Sequence, residues 1–183
     1  MNEFLKAATD SFEDLRWQPL KILIWGPGKP SRSSTIAKKK RYRKRLQIKT
    51  ILRQLYKRAD VYFPEDIRIR RMVRKIRSER DKALFIADMS DLIISLDMSR
   101  GADAEIDDFI PNFPSIKEKT YILIRNRYLN TSSYVENAIF EDLPDSHLIG
   151  FSDWHYNKCN VATKMAPDIA LSAAIRMKLN TNS

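Results

Sequence analysis

Apolar positions in this chain fall into two alternating patterns. Short unbroken runs occur at 20–25, 60–63, 92–96, 121–124 and 147–151. Runs of this length without polar alternation mark strands buried on both faces. Between them, apolar residues recur three and four positions apart, the spacing of a helix with one buried stripe. This spacing predicts helices over about 35–58, 67–80 continuing into 81–89, 104–110, 132–140 and 162–179, and a leading helix over 2–16. In the long segment from Thr35, the predicted stripe is Ile36, Leu46, Ile48, Ile51, Leu52 and Leu55. Pro111 and Pro114 are expected to end the fourth of these helices, and 152–160 reads as a loop.

Five strands alternating with helices predict an α/β domain with a parallel sheet and helices on both faces. Right-handed crossovers favour the flavodoxin-like order 2-1-3-4-5. In that order the chain reverses direction between strands 1 and 3, and ligands bind at such reversals, outside the carboxyl ends of the strands. The loops meeting there are Gly26–Ser34 and Asp97–Glu105. No linker or internal repeat divides the chain, so residues 1–183 read as one domain with a leading helix over 1–18 and a basic helical region over 34–80.

Charge adds a partner to this picture. The net charge is +10, but residues 1–80 carry +15 and residues 81–183 carry −5. No acid interrupts the stretch from Gly28 to Ala59, which holds thirteen lysines and arginines. Such a field attracts phosphate, whether of a nucleotide, a nucleic acid or an acidic protein. The 29–80 region is the expected contact for a nucleic acid or acidic partner. The aromatic alternation of single-strand binders is missing, with Tyr42 and Tyr56 alone interleaved. One cysteine, Cys159, excludes an internal disulfide framework and suits a reducing, cytoplasmic setting. No apolar run approaches the roughly 20 residues a membrane helix needs, so no membrane partner is expected.

Two stretches carry candidate chemistry. Trp25-Gly26-Pro27-Gly28 closes the first strand; its glycines let backbone approach a ligand, and the following helix start can receive an anion. The loop lacks the lysine–serine pair and spacing of a Walker motif. Glu105 falls in the helix after the third strand, where a carboxylate either caps the helix or attacks the anomeric carbon of a sugar. Arg32 and Arg100, one on each switch-point loop, are candidates for bidentate phosphate contacts. His147, His155 and Cys159 supply too few ligands at too loose a spacing for a zinc site, and no metal or cofactor is expected. Trp154 and Tyr156 read as buried packing residues.

The residues Ile22-Leu23-Ile24-Trp25-Gly26, Val61-Tyr62-Phe63-Pro64-Glu65-Asp66, Ala87-Asp88-Met89-Ser90-Asp91-Leu92-Ile93-Ile94 and Gly101-Ala102-Asp103-Ala104-Glu105 resemble the nucleoside 2-deoxyribosyltransferase-like superfamily. The resemblance spans residues 20–125, and within the superfamily it is nearest the deoxyribosyltransferase-like effectors of bacterial anti-phage systems, retron effectors included. It implies a flavodoxin-like fold, a homo-oligomer and cleavage of an N-glycosidic bond in a nucleoside or nucleotide. Glu105 matches the family's nucleophile. Asp81 lies within a residue or two of an acid that assists the leaving base. Trp25, Gly26 and Gly28 match its first-loop site, and Asp97, Ser99, Arg100 and Gly101 on the second switch-point loop are further candidate substrate contacts. Ser99 stands where transferases have a sugar-orienting aspartate, the second loop is short, and the chain ends without the transferases' aromatic tail. These departures count against base exchange between free deoxynucleosides and leave hydrolysis and transfer both open. The basic loop suits a phosphorylated substrate, NAD or a nucleoside phosphate. The alternative is a non-catalytic nucleic-acid- or partner-binding module, or a nucleotide sensor, on the same fold.

Overall fold

In the computed structural model the apolar runs assemble into a single five-stranded sheet, every neighbouring pair parallel, in the order β2-β1-β3-β4-β5. The structure describes residues 14–96, 100–126, 143–158 and 160–181, without the side chains of 100–105, 145, 180 and 181. The strands are β1 (Lys21–Trp25), β2 (Asp60–Tyr62), β3 (Leu92–Leu96), β4 (Thr120–Arg125) and β5 (Leu148–Phe151). The α/β flavodoxin-like arrangement read from the sequence is the one observed. Ile22, Leu23, Ile24 and Trp25 pair with Leu92, Ile93, Ile94 and Ser95, and all eight are buried.

Alternation along these strands separates two cores. Ile22, Ile24, Ile94 and Leu96 face α1 (Ile36–Leu55) and the last helix, which opens as a π-turn over Val161–Met165 and runs on from Ala166 to Thr181. Leu23, Trp25, Ile93 and Ile122 face α2 (Ile67–Met72), α3 (Glu79–Asp88), α4 (Arg100–Asn112) and α5 (Pro114–Lys117). The chain leaves β1 along one face and returns from β2 along the other, so the reversal lies between β1 and β3. Each fully buried aliphatic side chain here contributes about 1.5–3 kcal/mol relative to exposure. The described helices include none long and apolar enough to cross a membrane.

Several local expectations change. The segment 67–89 breaks into α2 and α3, because Ser78 caps a new helix by accepting from the Asp81 amide at 3.2 Å. Pro111 sits inside α4, which continues to Asn112. The segment expected as a loop at 152–160 contains α6 (Asp153–Asn157), started by a reciprocal Ser152–His155 capping box. Trp154, expected to be buried in the core or at an interface, is 59% exposed in the single chain and so is not a core residue. In α1 the buried stripe is Lys44, Arg45, Ile48 and Leu52, whereas Ile36 and Leu46 are exposed. The helix expected over 132–140, nearly all of the leading helix, and Cys159 lie outside the described residues.

Candidate active site at the β1–β3 switch point

The carboxyl end of β1 is held open by a buried arginine. Arg45 is only 1% exposed and reaches from α1 under the glycine loop. Its Nη2 donates to the Ile24 carbonyl at 2.5 Å and its Nη1 to the Pro27 carbonyl at 3.2 Å. The same fork meets Glu65 at 2.6 and 3.2 Å, and the guanidinium carbon lies 4.0 Å from the centre of the Phe63 ring. Burial pulls the Arg45 guanidinium down from its usual value, and the Glu65 carboxylate opposes that pull. Beside it Lys49 pairs with Asp66 at 2.5 Å, and Asp66 also accepts from the Phe63 amide at 2.9 Å. The Phe63-Pro64-Glu65-Asp66 turn is therefore an anchor that fastens the β2 end to the β1 loop through α1.

Gly26 sets the β1 loop against the end of β3. Its φ is +145°, and a Cβ added there would lie 3.0 Å from the Leu96 carbonyl oxygen, the last residue of β3. Only glycine allows that approach without strain. Gly26 thus lies against the last residue of β3, while Asp97–Ser99 of the second loop lie outside the described residues. At Gly28, by contrast, an added Cβ would meet nothing within 4 Å.

Position 105 is located by its helix. Phe109 packs on Trp25 with ring centres 6.1 Å apart, and Asp108 accepts from Arg80 at 2.5 and 3.0 Å. That contact holds the Asp108 carboxyl below its ordinary range. Residue 105 precedes these two by one turn, at i−4 and i−3, in the helical backbone of α4. Because Arg80 opens α3 while Asp108 lies two turns into α4, the start of α4 extends past the start of α3 at this edge. Two buried donors lie at paired positions of β1 and β3, the Trp25 indole Nε1 and the Ser95 hydroxyl, neither with a hydrogen-bond partner among the described residues. Leaving such a group unpaired costs about 1–3 kcal/mol.

A cleft of about 820 Å³ opens between the glycine loop, the Pro64-Glu65 turn, α2 and α3. Val73, Ala83 and Ile86 give it an apolar floor; Lys29, Arg70, Arg74 and Lys82 surround it. Glu79 also lines it and pairs with Lys82 at 2.5 Å.

The sequence-derived residues therefore divide. Gly26 and Gly28 stand at the cleft rim or its hinge, whereas the Trp25 side chain turns into the core and leaves only its backbone at the edge. Arg32 is exposed on the outer loop, where its carbonyl accepts from Lys39 at 3.0 Å. Asp81 lines a separate groove between α3 and α5, with Leu84, Phe85 and Phe113. Glu79, two residues earlier, is the carboxylate of that helix that lines the cleft. Asp97 and Ser99 lie outside the described residues, and of Arg100, Gly101 and Glu105 only the helical backbone is described. Sequence reasoning missed Arg45, Arg70 and Arg74. The one available signal was the Arg45–Ile48–Leu52 spacing, which puts Arg45 on the buried stripe.

His147 is buried against Tyr121, ring centres 4.1 Å apart, with Nδ1 2.9 Å from the Thr120 carbonyl, so it serves packing. Among the described residues no cluster of three or more histidines, cysteines or acids is placed to hold a metal. Neither the protein-family models nor the curated proteins match the chain.

Proposed function

We propose that the protein cleaves the N-glycosidic bond of a nucleotide at the β1–β3 switch point, with Glu105 as the attacking carboxylate. What supports this reading is the packing of α4, the helix that carries position 105, against the end of β1 through Phe109 and Trp25, next to a glycine loop fastened by Arg45. Breaking the C1′–N bond builds positive charge on the sugar, which a carboxylate stabilises or captures. In the captured form a C1′–O bond to Glu105 replaces the C1′–N bond, whose electron pair leaves with the base. Water then attacks C1′ and frees the carboxylate. The base must accept a proton as it departs. Glu79 is better placed than Asp81 for that role, since Asp81 faces the α5 groove. The buried Trp25 and Ser95 donors support an arrangement in which a polar group from the substrate or the α4 start meets them.

The test is chromatographic detection of free base after incubating the protein with NAD, ribonucleotides, deoxynucleotides and the matching nucleosides. Base release from at least one nucleotide supports the reading. No release from any member of that panel overturns it.

A second reading is favoured by the outer face of α1, where Lys38, Lys40 and Arg43 are exposed on one helix that carries no acid. On this reading the basic face engages a nucleic acid or an acidic partner, and its affinity falls steeply with salt.

A further inference from the structure

We infer that the cleft between α2, α3 and the glycine loop is a phosphoanhydride site, so that the substrate is a nucleotide carrying at least two linked phosphates. The inference deepens the nucleotide reading above and rests on it for the identity of the nucleoside. Charge bookkeeping within the cleft points to it. Both acids that line the cleft are already neutralised by partners, Glu65 by Arg45 and Glu79 by Lys82. Lys29, Arg70 and Arg74 have no ion-pair or hydrogen-bond partner among the described residues. Three uncompensated cations thus converge on one hollow from two walls, Lys29 from the β1 loop and the arginines from α2 and its end.

Like charges around a common cavity repel each other, and at physiological ionic strength only exposed charges more than about 8 Å apart are largely screened from one another. A bound dianion or trianion removes that repulsion. Arg70 in α2 and Arg74 in the turn just after it both line the cleft, so their forks can grip successive phosphates, as guanidinium does bidentately. A volume of about 820 Å³ is several times what a lone phosphate fills and lies in the range of nucleotide-sized pockets. Val73, Ala83 and Ile86 offer an apolar floor on which the remainder of the ligand rests. Arg32, an obvious phosphate ligand by sequence, sits outside this cleft.

The experiment is calorimetric titration of the full chain, carrying Glu105→Gln to prevent turnover, with inorganic pyrophosphate, ADP and adenosine. Arg70→Ala/Arg74→Ala is compared with Lys57→Ala/Arg58→Ala, which removes equal charge past the far end of α1. Pyrophosphate and ADP should compete, with adenosine at least roughly tenfold weaker than ADP. The Arg70/Arg74 variant should lose at least about tenfold in pyrophosphate affinity while the Lys57/Arg58 variant keeps it. Equal loss in both variants overturns the site, because the overall field alone then explains binding. A single-stranded oligonucleotide that binds through Arg70 and Arg74 when pyrophosphate does not also overturns it. The two readings fail separately. Pyrophosphate binding without base release by the unmodified chain removes the enzyme and keeps the site; base release indifferent to Arg70 and Arg74 does the reverse.

Discussion

Arg45 shows how one side chain can organise a site without touching the chemistry. It neutralises Glu65, donates to the Ile24 carbonyl of β1 and the Pro27 carbonyl of the glycine loop, and stacks on Phe63. Removing one partner of a buried ion pair costs about 3 kcal/mol or more, since the other charge is left unmatched. Arg45→Met should therefore lower the denaturation free energy by about that amount in urea titrations, with Glu65→Gln clearly milder. Arg45→Lys should not rescue it, because an ammonium lacks the planar fork that reaches all three acceptors. His147 makes a second residue-level prediction. Burial, reinforced by Arg176, lowers its imidazole below the ordinary 6.5, so the unfolded chain takes up a proton more readily than the folded one. Stability from this group is complete above pH 6.5 and is lost as pH falls through the lower folded value. Thermal melts from pH 8 to pH 5 should show that decline, with a smaller slope in His147→Phe. An unchanged slope would remove His147 from the acid sensitivity.

The elements were more legible than the site they frame. Strands buried on both faces announce themselves as solid apolar runs, so β1, β3 and β4 were read within a residue of their ends, and their order followed from the alternation with helices. The basic helix was harder. Arg45 is one of thirteen cations without an intervening acid, and nothing in a run of like charges distinguishes the buried member from its solvated neighbours. Ile36, apolar by composition, is 74% exposed because it lies in the first turn, beyond the sheet edge. Arg70 and Arg74 were hidden for another reason: their role depends on the break between α2 and α3, which Ser78 sets by capping rather than by periodicity. At this scale the glycine loop gives a paired prediction. Gly26→Ala should destabilise by about 1–3 kcal/mol, because a left-handed residue would carry a Cβ against the Leu96 carbonyl. Gly28→Ala should change stability by under about 0.5 kcal/mol, as its Cβ enters open space. Equal effects in denaturant titrations would mean that the close approach at Gly26 is not what sets the loop.

The whole molecule pairs a strongly basic first part with an acidic second part on one continuous sheet. That asymmetry predicts steering of polyanions toward the α1–α2 side, with association rates that fall as salt rises. Raising salt from about 50 to 200 mM should weaken binding to a single-stranded oligonucleotide far more than binding to an uncharged nucleoside. Similar losses for both would argue that the charge distribution plays no part in capture. The strand order read from the sequence is the one observed, and the structure adds a cation-lined cleft beside the loop that follows β1. The most direct test of the central claim is the rate of free-base release by the unmodified chain against Glu105→Gln, measured on the best nucleotide substrate with matched melting curves. Loss of the nucleophile should slow release by roughly a thousandfold or more. A rate within about twofold of the unmodified chain would mean that Glu105 takes no part in breaking the bond.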